Sequence, residues 1–103
     1  MIAKTPTVPY YAVIFTSLRT EGDNGYGSMA EEMDELAKQQ EGYLGIESAR
    51  NDLGITISYW RSIEDIKNWK ANTRHLQAQK QGREKWYEQY KVRICKVERD
   101  YGF

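Results

Sequence analysis

The residue types that could carry chemistry are concentrated near the end of the sequence, between Asn68 and Tyr90. This segment contains the only histidine of the chain, His75, and two of its three tryptophans, Trp69 and Trp86. Histidine titrates near neutral pH, so it is well suited to accept and return a proton. Aromatic rings supply flat apolar walls. The segment is therefore compatible with a substrate pocket, and equally with ordinary core packing.

An ideal helix turns by about 100° per residue, which would divide this segment into two neighbouring stripes. The polar-aromatic stripe consists of Asn68, Asn72, His75, Gln79 and Trp86. The stripe that leans apolar consists of Trp69, Leu76, Arg83 and Tyr87. Because each stripe carries a tryptophan, neither can be fully solvated. The boundary between the stripes is where the sequence favours a concave site.

Each candidate residue also has a purely structural interpretation. Trp60 and Trp69 are both suited to core packing, and His75 is equally suited to a hydrogen-bonded surface position. Tyr87 could simply seat the end of the helix against the sheet, and Arg83 could be a solvated charge. Residue types alone leave both interpretations open.

The composition excludes several classes of function. The 15 Lys and Arg residues balance the 15 Asp and Glu residues, so the basic excess of a nucleic-acid binder is missing. There is no glycine-rich phosphate loop, and one histidine without a carboxylate cluster gives no basis for a metal site. No apolar run approaches the roughly 20 residues of a membrane span. Cys95 is the single cysteine, so the chain cannot form an intrachain disulfide. Together with the missing membrane span, this leads us to expect a cytoplasmic protein that binds no membrane.

The strands that must position the segment follow from runs of β-branched and aromatic residues. Strands are predicted at Tyr10–Leu18, Tyr43–Arg50, Leu53–Arg61 and Lys91–Asp100. Asn51 and Asp52 are turn residues that predict a hairpin between the second and third strands. Residues 1–9 are predicted to form a tail, and residues 10–103 a single domain.

Two helices are predicted from apolar residues at the 3.6-residue period. The first would begin at Ser28, which fits a capping box with Glu31, and would stop at Gly42. The second would be capped by Ser62 and would continue to about Tyr90, with a break near Asn72 or Gly82.

The resulting βαββαβ order is that of an α+β, ferredoxin-like fold, an antiparallel sheet with helices on one face. The first strand is apolar on both faces, since Tyr11, Val13 and Phe15 point to one side and Tyr10, Ala12, Ile14 and Leu18 to the other. Two helices can cover only one face. The other face is therefore predicted to need a second subunit.

Three stretches resemble the antibiotic biosynthesis monooxygenase family of small dimeric α+β barrel proteins. They are GYLGIES, ISYWRSIEDIKNWKANTRHLQAQKQGREKWYEQY and VRICKVERDYGF, and the similarity covers about Tyr10–Phe103. The resemblance implies a homodimer in which two sheets pack face to face as a dimeric α+β barrel. It also implies a cavity between the helices and the sheet of each subunit.

Two branches of that family have understood chemistry. The quinone-forming monooxygenases oxidise polycyclic phenols with O₂ and use no flavin, haem or metal. Trp69 matches their tryptophan on the second helix, whereas Asp65 stands in place of their asparagine and His75 in place of their tyrosine. The haem-degrading branch has an iron-binding histidine where this chain has Gln79, so haem degradation is disfavoured.

The resemblance implies a cofactor-independent monooxygenase that acts on a hydrophobic aromatic or quinone-like metabolite. His75 and Asp65 would exchange protons with the substrate. Trp60, Trp69 and Tyr87 would form aromatic walls, Asn72 would hydrogen-bond a substrate oxygen, and Arg83 would stabilise the developing anion. The alternatives are a non-catalytic dimeric module that binds a small ligand, and isomerase-type proton transfer on the same scaffold.

Overall fold

The computed structural model describes all 103 residues of the chain. The strands are β1 Tyr10–Arg19, β2 Tyr43–Arg50, β3 Leu53–Trp60 and β4 Tyr87–Val97. The helices are α1 Tyr26–Lys38, α2 Ile63–Ala71 and α3 Thr73–Gln81, followed by a π-helical turn over Gly82–Trp86. None of these helices combines the length and the apolar character needed to cross a membrane.

The four strands form one antiparallel sheet in the order β2-β3-β1-β4. Helix α1 follows β1, and helices α2 and α3 follow β3, so the chain has the βαββαβ, ferredoxin-like arrangement that its sequence predicts. Strands β2 and β3 form a hairpin across Asn51 and Asp52, as their turn chemistry indicates. The prediction of an α+β fold is confirmed.

The start of the first helix differs from its prediction, because Ser28 does not cap it. Gly25 occupies the N-cap position with φ of 84° and makes no side-chain cap. The Asp23 carboxylate instead accepts the N–H groups of Gly25 and Gly27, each at 3.0 Å. Glycine adopts this left-handed conformation without steric cost. The helix can therefore begin at Tyr26, two residues before Ser28.

The second helical segment breaks at Asn72, as predicted, but it ends before Tyr90. Asn72 has ψ of 129°, and its Oδ1 accepts the N–H groups of Arg74 at 3.0 Å and His75 at 3.1 Å. Asn72 therefore ends α2 and caps α3. Because α3 does not continue α2, the two stripes expected of one straight helix do not persist. Tyr87 belongs to the sheet.

The helices pack against one face of the sheet, which we call the helix side. Trp60 on this face is fully buried, and its ring stacks on Trp69 of α2 with centroids 6.3 Å apart. Phe15 lies on the same face and contacts Tyr87 with centroids 5.2 Å apart. Only 10 of the 103 residues are buried, so the helical layer leaves much of the sheet partly accessible.

The opposite face, which we call the open side, is covered only at one end. Ala3 donates its N–H to Glu47 at 2.9 Å, and Tyr10 donates its hydroxyl to Asp100 at 2.5 Å, which holds both chain ends against the sheet. Tyr10 and Ala12 are buried there. On the rest of the open side, β1 and β3 present apolar side chains that are at least partly exposed: Ile14, Leu18, Leu53, Ile55 and Ile57. The edge strand β4 adds the exposed cations Lys91 and Arg93 to this side.

Candidate functional site

Three aromatic rings form a column that runs from the sheet through α2 to α3. The imidazole of His75 stacks on the indole of Trp69, with centroids 4.2 Å apart and planes 12° apart. Trp69 stacks in turn on Trp60, whose Nε1–H is donated to Ser58 Oγ at 2.9 Å. The structure thus brings together three residues that the sequence singled out. It also fills the contacted face of Trp69, so a planar ligand stacks there only if His75 moves.

The hydrogen bond of His75 determines which of its ring nitrogens is basic. Nδ1 lies 3.0 Å from the main-chain oxygen of Trp69, which can only accept, so Nδ1 carries the hydrogen and Nε2 keeps a lone pair. Burial lowers the pKa of His75 and the charge of Lys70 lowers it further, against the opposing effect of the Trp69 hydrogen bond. At neutral pH the imidazole is uncharged, and Nε2 is suited to act as a general base.

Asp65 lies at the start of α2, where its carboxylate is already engaged. It accepts the Ser62 hydroxyl at 2.7 Å and two guanidinium N–H groups of Arg61 at 3.0 and 3.1 Å. Ser62 Oγ accepts the N–H of Asp65 at 3.1 Å, which confirms the predicted N-cap. The hydrogen bonds from Ser62 and then Arg61 lower the pKa of Asp65, so it is ionised at neutral pH. These contacts are structural, and a catalytic role of Asp65 stays a prediction.

A glycine packs against this carboxylate from the connection between α1 and β2. Helix α1 ends at Lys38, earlier than the predicted stop at Gly42. Gly42 has φ of 83°, and a Cβ at this position would overlap the carboxylate of Asp65. The glycine is therefore required by the backbone conformation and by the close approach of the two segments.

The other predicted ligand contacts lie apart from the aromatic column. The Oδ1 of Asn72 is used in capping α3, which leaves its amide N–H₂ group for a ligand. Arg83 is exposed in the π-helical turn. Tyr87 lies at the start of β4, where it contacts Phe15 and Tyr26, and burial raises the pKa of its phenol.

Trp60 and Tyr87 lie at opposite ends of the helix side. Trp60 is paired with Tyr11 of β1, whereas Tyr87 is paired with Arg19. These two positions are eight steps apart along β1, which corresponds to about 26 Å between their Cα atoms at the usual rise of a strand. The expected aromatic wall of Trp60, Trp69 and Tyr87 is therefore divided between two ends of the sheet, because Tyr87 is on a strand and not on the helix.

Small side chains on β3 leave a partly accessible strip of the helix side between these two ends, which we call the trough. The trough is lined by Gly54, Thr56, Ser58, Val13 and Phe15. All of these except Gly54 keep some exposed surface, whereas residues of a filled core are buried, so the helices do not fill the space above them. The alternation in LGITISYW placed Thr56 and Ser58 on the Trp60 face, and their small size was the signal that could have located the trough.

A separate cleft of about 470 Å³ lies between α1 and α3. Its walls include Trp86 and the Arg74–Glu32 ion pair that bridges the two helices. The other lining residues are mostly polar, and none of the predicted site residues is among them. This cleft does not match the flat apolar ligand that the sequence favours.

The fold is that of an antibiotic biosynthesis monooxygenase-type protein. Residues 18–98 match the family described as Monooxygenase af470-like, and the chain belongs to this family. The chain is also 51% identical over 100 residues to the uncharacterized protein YqjZ of Bacillus subtilis (strain 168). That similarity covers 95% of this chain and 88% of YqjZ.

Solved structures share the fold at low sequence identity. SnoaB, a cofactor-independent oxygenase from Streptomyces nogalater, has a TM-score of 0.77 and 9% identity, and the match covers 90% of this chain and 97% of SnoaB. Rv0793 from Mycobacterium tuberculosis has a TM-score of 0.77 and 12% identity, covering 91% of this chain and 99% of Rv0793. At these identities the similarity establishes the fold alone.

Proposed function

We propose that this protein is a cofactor-independent monooxygenase that oxidises a hydrophobic aromatic or quinone-like metabolite on the helix side of its sheet. Family membership supports the reaction class, and the trough offers space for a flat ligand beside the helices. The observation that carries the proposal is the hydrogen bond between His75 Nδ1 and Trp69, because it places the hydrogen of the neutral ring on Nδ1 and leaves the lone pair on Nε2. That nitrogen is the group available to remove a proton from a phenol or enol.

The proposed reaction begins when His75 Nε2 accepts a proton from the substrate. The resulting anion transfers two electrons to O₂ as a bond forms between a ring carbon and oxygen, which gives a peroxide. His75 returns the proton to the peroxide, the O–O bond breaks, and the ring carbon loses its remaining hydrogen as water departs. One oxygen atom ends in a product carbonyl and the other in water, so no external reductant is consumed.

The remaining candidate residues have supporting roles in this proposal. Trp69, backed by the buried Trp60, excludes water from the reacting end, and the amide of Asn72 is a donor for a substrate oxygen. Asp65 remains a second acid–base candidate behind His75. Arg83 and Tyr87 would act at the far end of the helix side.

The proposal is tested by oxygen uptake with a panel of hydroxyaromatic compounds. We expect the wild type to consume O₂ with at least one compound, and His75→Ala to lose most of that rate, about a hundredfold or more. The matched control is Leu76→Ala, which truncates an exposed neighbour on the same helix and should retain the rate. Equal rates for the wild type and His75→Ala on every oxidised compound would refute the role of His75.

Two other outcomes would replace the proposal with one of its alternatives. Ligands that raise the melting temperature but are never consumed would indicate a non-catalytic binding module. Product formation that continues without oxygen would indicate isomerase-type proton transfer, because an oxygenase stops when O₂ is removed.

We also propose that the protein acts as a homodimer, with a second copy covering the open side. The apolar open side includes Leu53 at 49% and Ile55 at 40% exposure. The accessible surface of the chain is 7335 Å², whereas a folded monomer of this mass usually exposes about 6,000 Å². The excess supports a self-associating face, and the expected cytoplasmic location stays a prediction.

A further inference from the structure

Arg50 crosses the sheet on the helix side, at the end of the trough opposite the aromatic column. Its guanidinium lies directly over Gly54, where a Cβ would overlap the guanidinium carbon and nitrogens. Nη1 donates to the main-chain oxygen of Ser17 at 3.4 Å, and Nη2 donates to Ser17 Oγ. Ser17 is 2% exposed, so the guanidinium is held by a buried partner.

The charge of Arg50 is not neutralised within the protein. The ion pairs of the chain involve Lys38, Arg61 and Arg74, and no carboxylate pairs with Arg50. The guanidinium N–H groups that do not point to Ser17 have no protein partner, and the residue is exposed. A fixed, accessible cation without a counter-ion is a ready partner for an anion.

Aromatic side chains lie beside this cation. Tyr90 is paired with Ser17, and Phe15 is two residues along the same face of β1. The rings of Phe15 and Tyr90 have centroids 5.2 Å apart. The charge of Arg50 also reaches Tyr87, since it lowers the pKa of that phenol against the larger opposing effect of burial. The far end of the trough therefore combines an apolar wall with a positive charge.

We propose that Arg50 is an anion-binding residue and that the ligand of the trough is an aromatic acid. Its carboxylate or phenolate oxygen would be bound by Arg50, while its apolar body lies along β3. Arginine presents a planar fork of N–H groups that matches a carboxylate better than the point charge of lysine does. Ser17 and Gly54 are positioning residues, since one holds the guanidinium and the other makes room for it. The inference rests on the proposed function only in placing the ligand in the trough.

The test compares ligands that differ only in charge, under anaerobic conditions, by isothermal titration calorimetry. We expect the wild type to bind naphthoate about tenfold or more tightly than neutral naphthamide. Arg50→Ala and Gly54→Ala should bring that ratio close to one, and Arg50→Lys should keep part of it. The matched control, Arg93→Ala, removes an exposed cation that is paired with Ile14 on the open side and should keep the full ratio.

Equal affinities of the wild type for naphthoate and naphthamide, or a ratio that survives in Arg50→Ala, would overturn the proposal. Circular dichroism and a cooperative melt show whether each variant is folded. If the alanine variants do not fold, the reduced affinity ratio expected for Arg50→Lys is the deciding measurement. Nitrophenolate against its neutral methyl ether, nitroanisole, shows whether a phenolate or a carboxylate is preferred. The binding test needs no turnover, so the two proposals can fail separately. Oxygen uptake without a charge preference in binding would refute only the anion site, and a charge preference without oxygen uptake would refute only the oxygenase.

Discussion

His75 and Trp69 contact each other twice, through rings stacked at 4.2 Å and through the 3.0 Å hydrogen bond from Nδ1 to the Trp69 main-chain oxygen. The two residues lie on different helices, joined by the turn at Asn72. The hydrogen bond selects the tautomer, and the stack buries the ring. One relationship therefore controls both the basicity of Nε2 and the access of a ligand to the Trp69 face.

The buried imidazole should make the protein less stable in mild acid. Its folded-state pKa lies below the ordinary value of 6.5, so the unfolded chain binds the proton more readily between these two values. The free energy of unfolding should fall as pH decreases through 6.5 and should level off below the folded-state pKa. Urea denaturation across this range measures it.

His75→Gln is the control for that pH dependence. Because the chain has one histidine, no other imidazole contributes to the same transition. The slope near pH 6.5 should disappear in the variant. An unchanged slope would show that another group is responsible.

Trp60 should be the most sensitive position of the aromatic column. It has no exposed surface and supports Trp69, so Trp60→Ala removes a large buried ring and leaves a cavity. Truncations of this kind cost about 3–5 kcal/mol, which is a large part of the stability of a small domain. Chemical denaturation measures the loss, and Trp60→Phe should lose less. Similar midpoints for Trp60→Ala and the wild type would contradict this packing.

Asp65→Asn should lower stability at neutral pH. The carboxylate of Asp65 has a folded-state pKa below its ordinary value of 3.8, so its stabilising effect is present above 3.8 and is lost as pH falls through the folded-state pKa. The melting temperatures of wild type and variant should therefore differ at neutral pH and converge in acid. The control is Asp52→Asn in the exposed hairpin turn, which should melt like the wild type.

The same variant also tests the second role considered for Asp65. At a temperature where both proteins are folded, kcat should fall less in Asp65→Asn than in His75→Ala. An equal loss of kcat would show that the Asp65 carboxylate takes part in proton transfer as well as in binding Ser62 and Arg61.

Charge introduced on the open side should dissociate the proposed homodimer. Leu53→Lys places an ammonium in the apolar face, where a second sheet would have to desolvate it. The matched control is Leu76→Lys on α3, because both leucines are 49% exposed in the single chain. Size-exclusion chromatography with light scattering should give a dimer for the wild type and the control, and a monomer for Leu53→Lys. A monomeric wild type at micromolar concentration would refute the dimer.

Local patterns predicted most of the elements of this fold. Three strands appear within one residue of their predicted bounds, whereas β4 begins at Tyr87 and ends at Val97 where Lys91–Asp100 was predicted. Ser62 and Asn72 cap helices because their side chains can bond to nearby backbone N–H groups. The predicted start of α1 was wrong because the oxygens that accept the N–H groups there come from Asp23, outside the periodic segment. The predicted end of the last helix was wrong because Tyr87 belongs to β4, where it pairs with β1, a strand distant in sequence.

The sequence by itself determined the βαββαβ order and the presence of one near-neutral base among aromatic residues, because hydrophobic period and residue type are local properties. Only the tertiary structure decided that His75 stacks on Trp69, that Tyr87 lies at the other end of the sheet, and that Arg50 reaches Ser17 across Gly54. These relationships depend on strand register and on the helix break at Asn72. Strand register and the angle between α2 and α3 bring together residues whose spacing along the chain does not encode their distance in space.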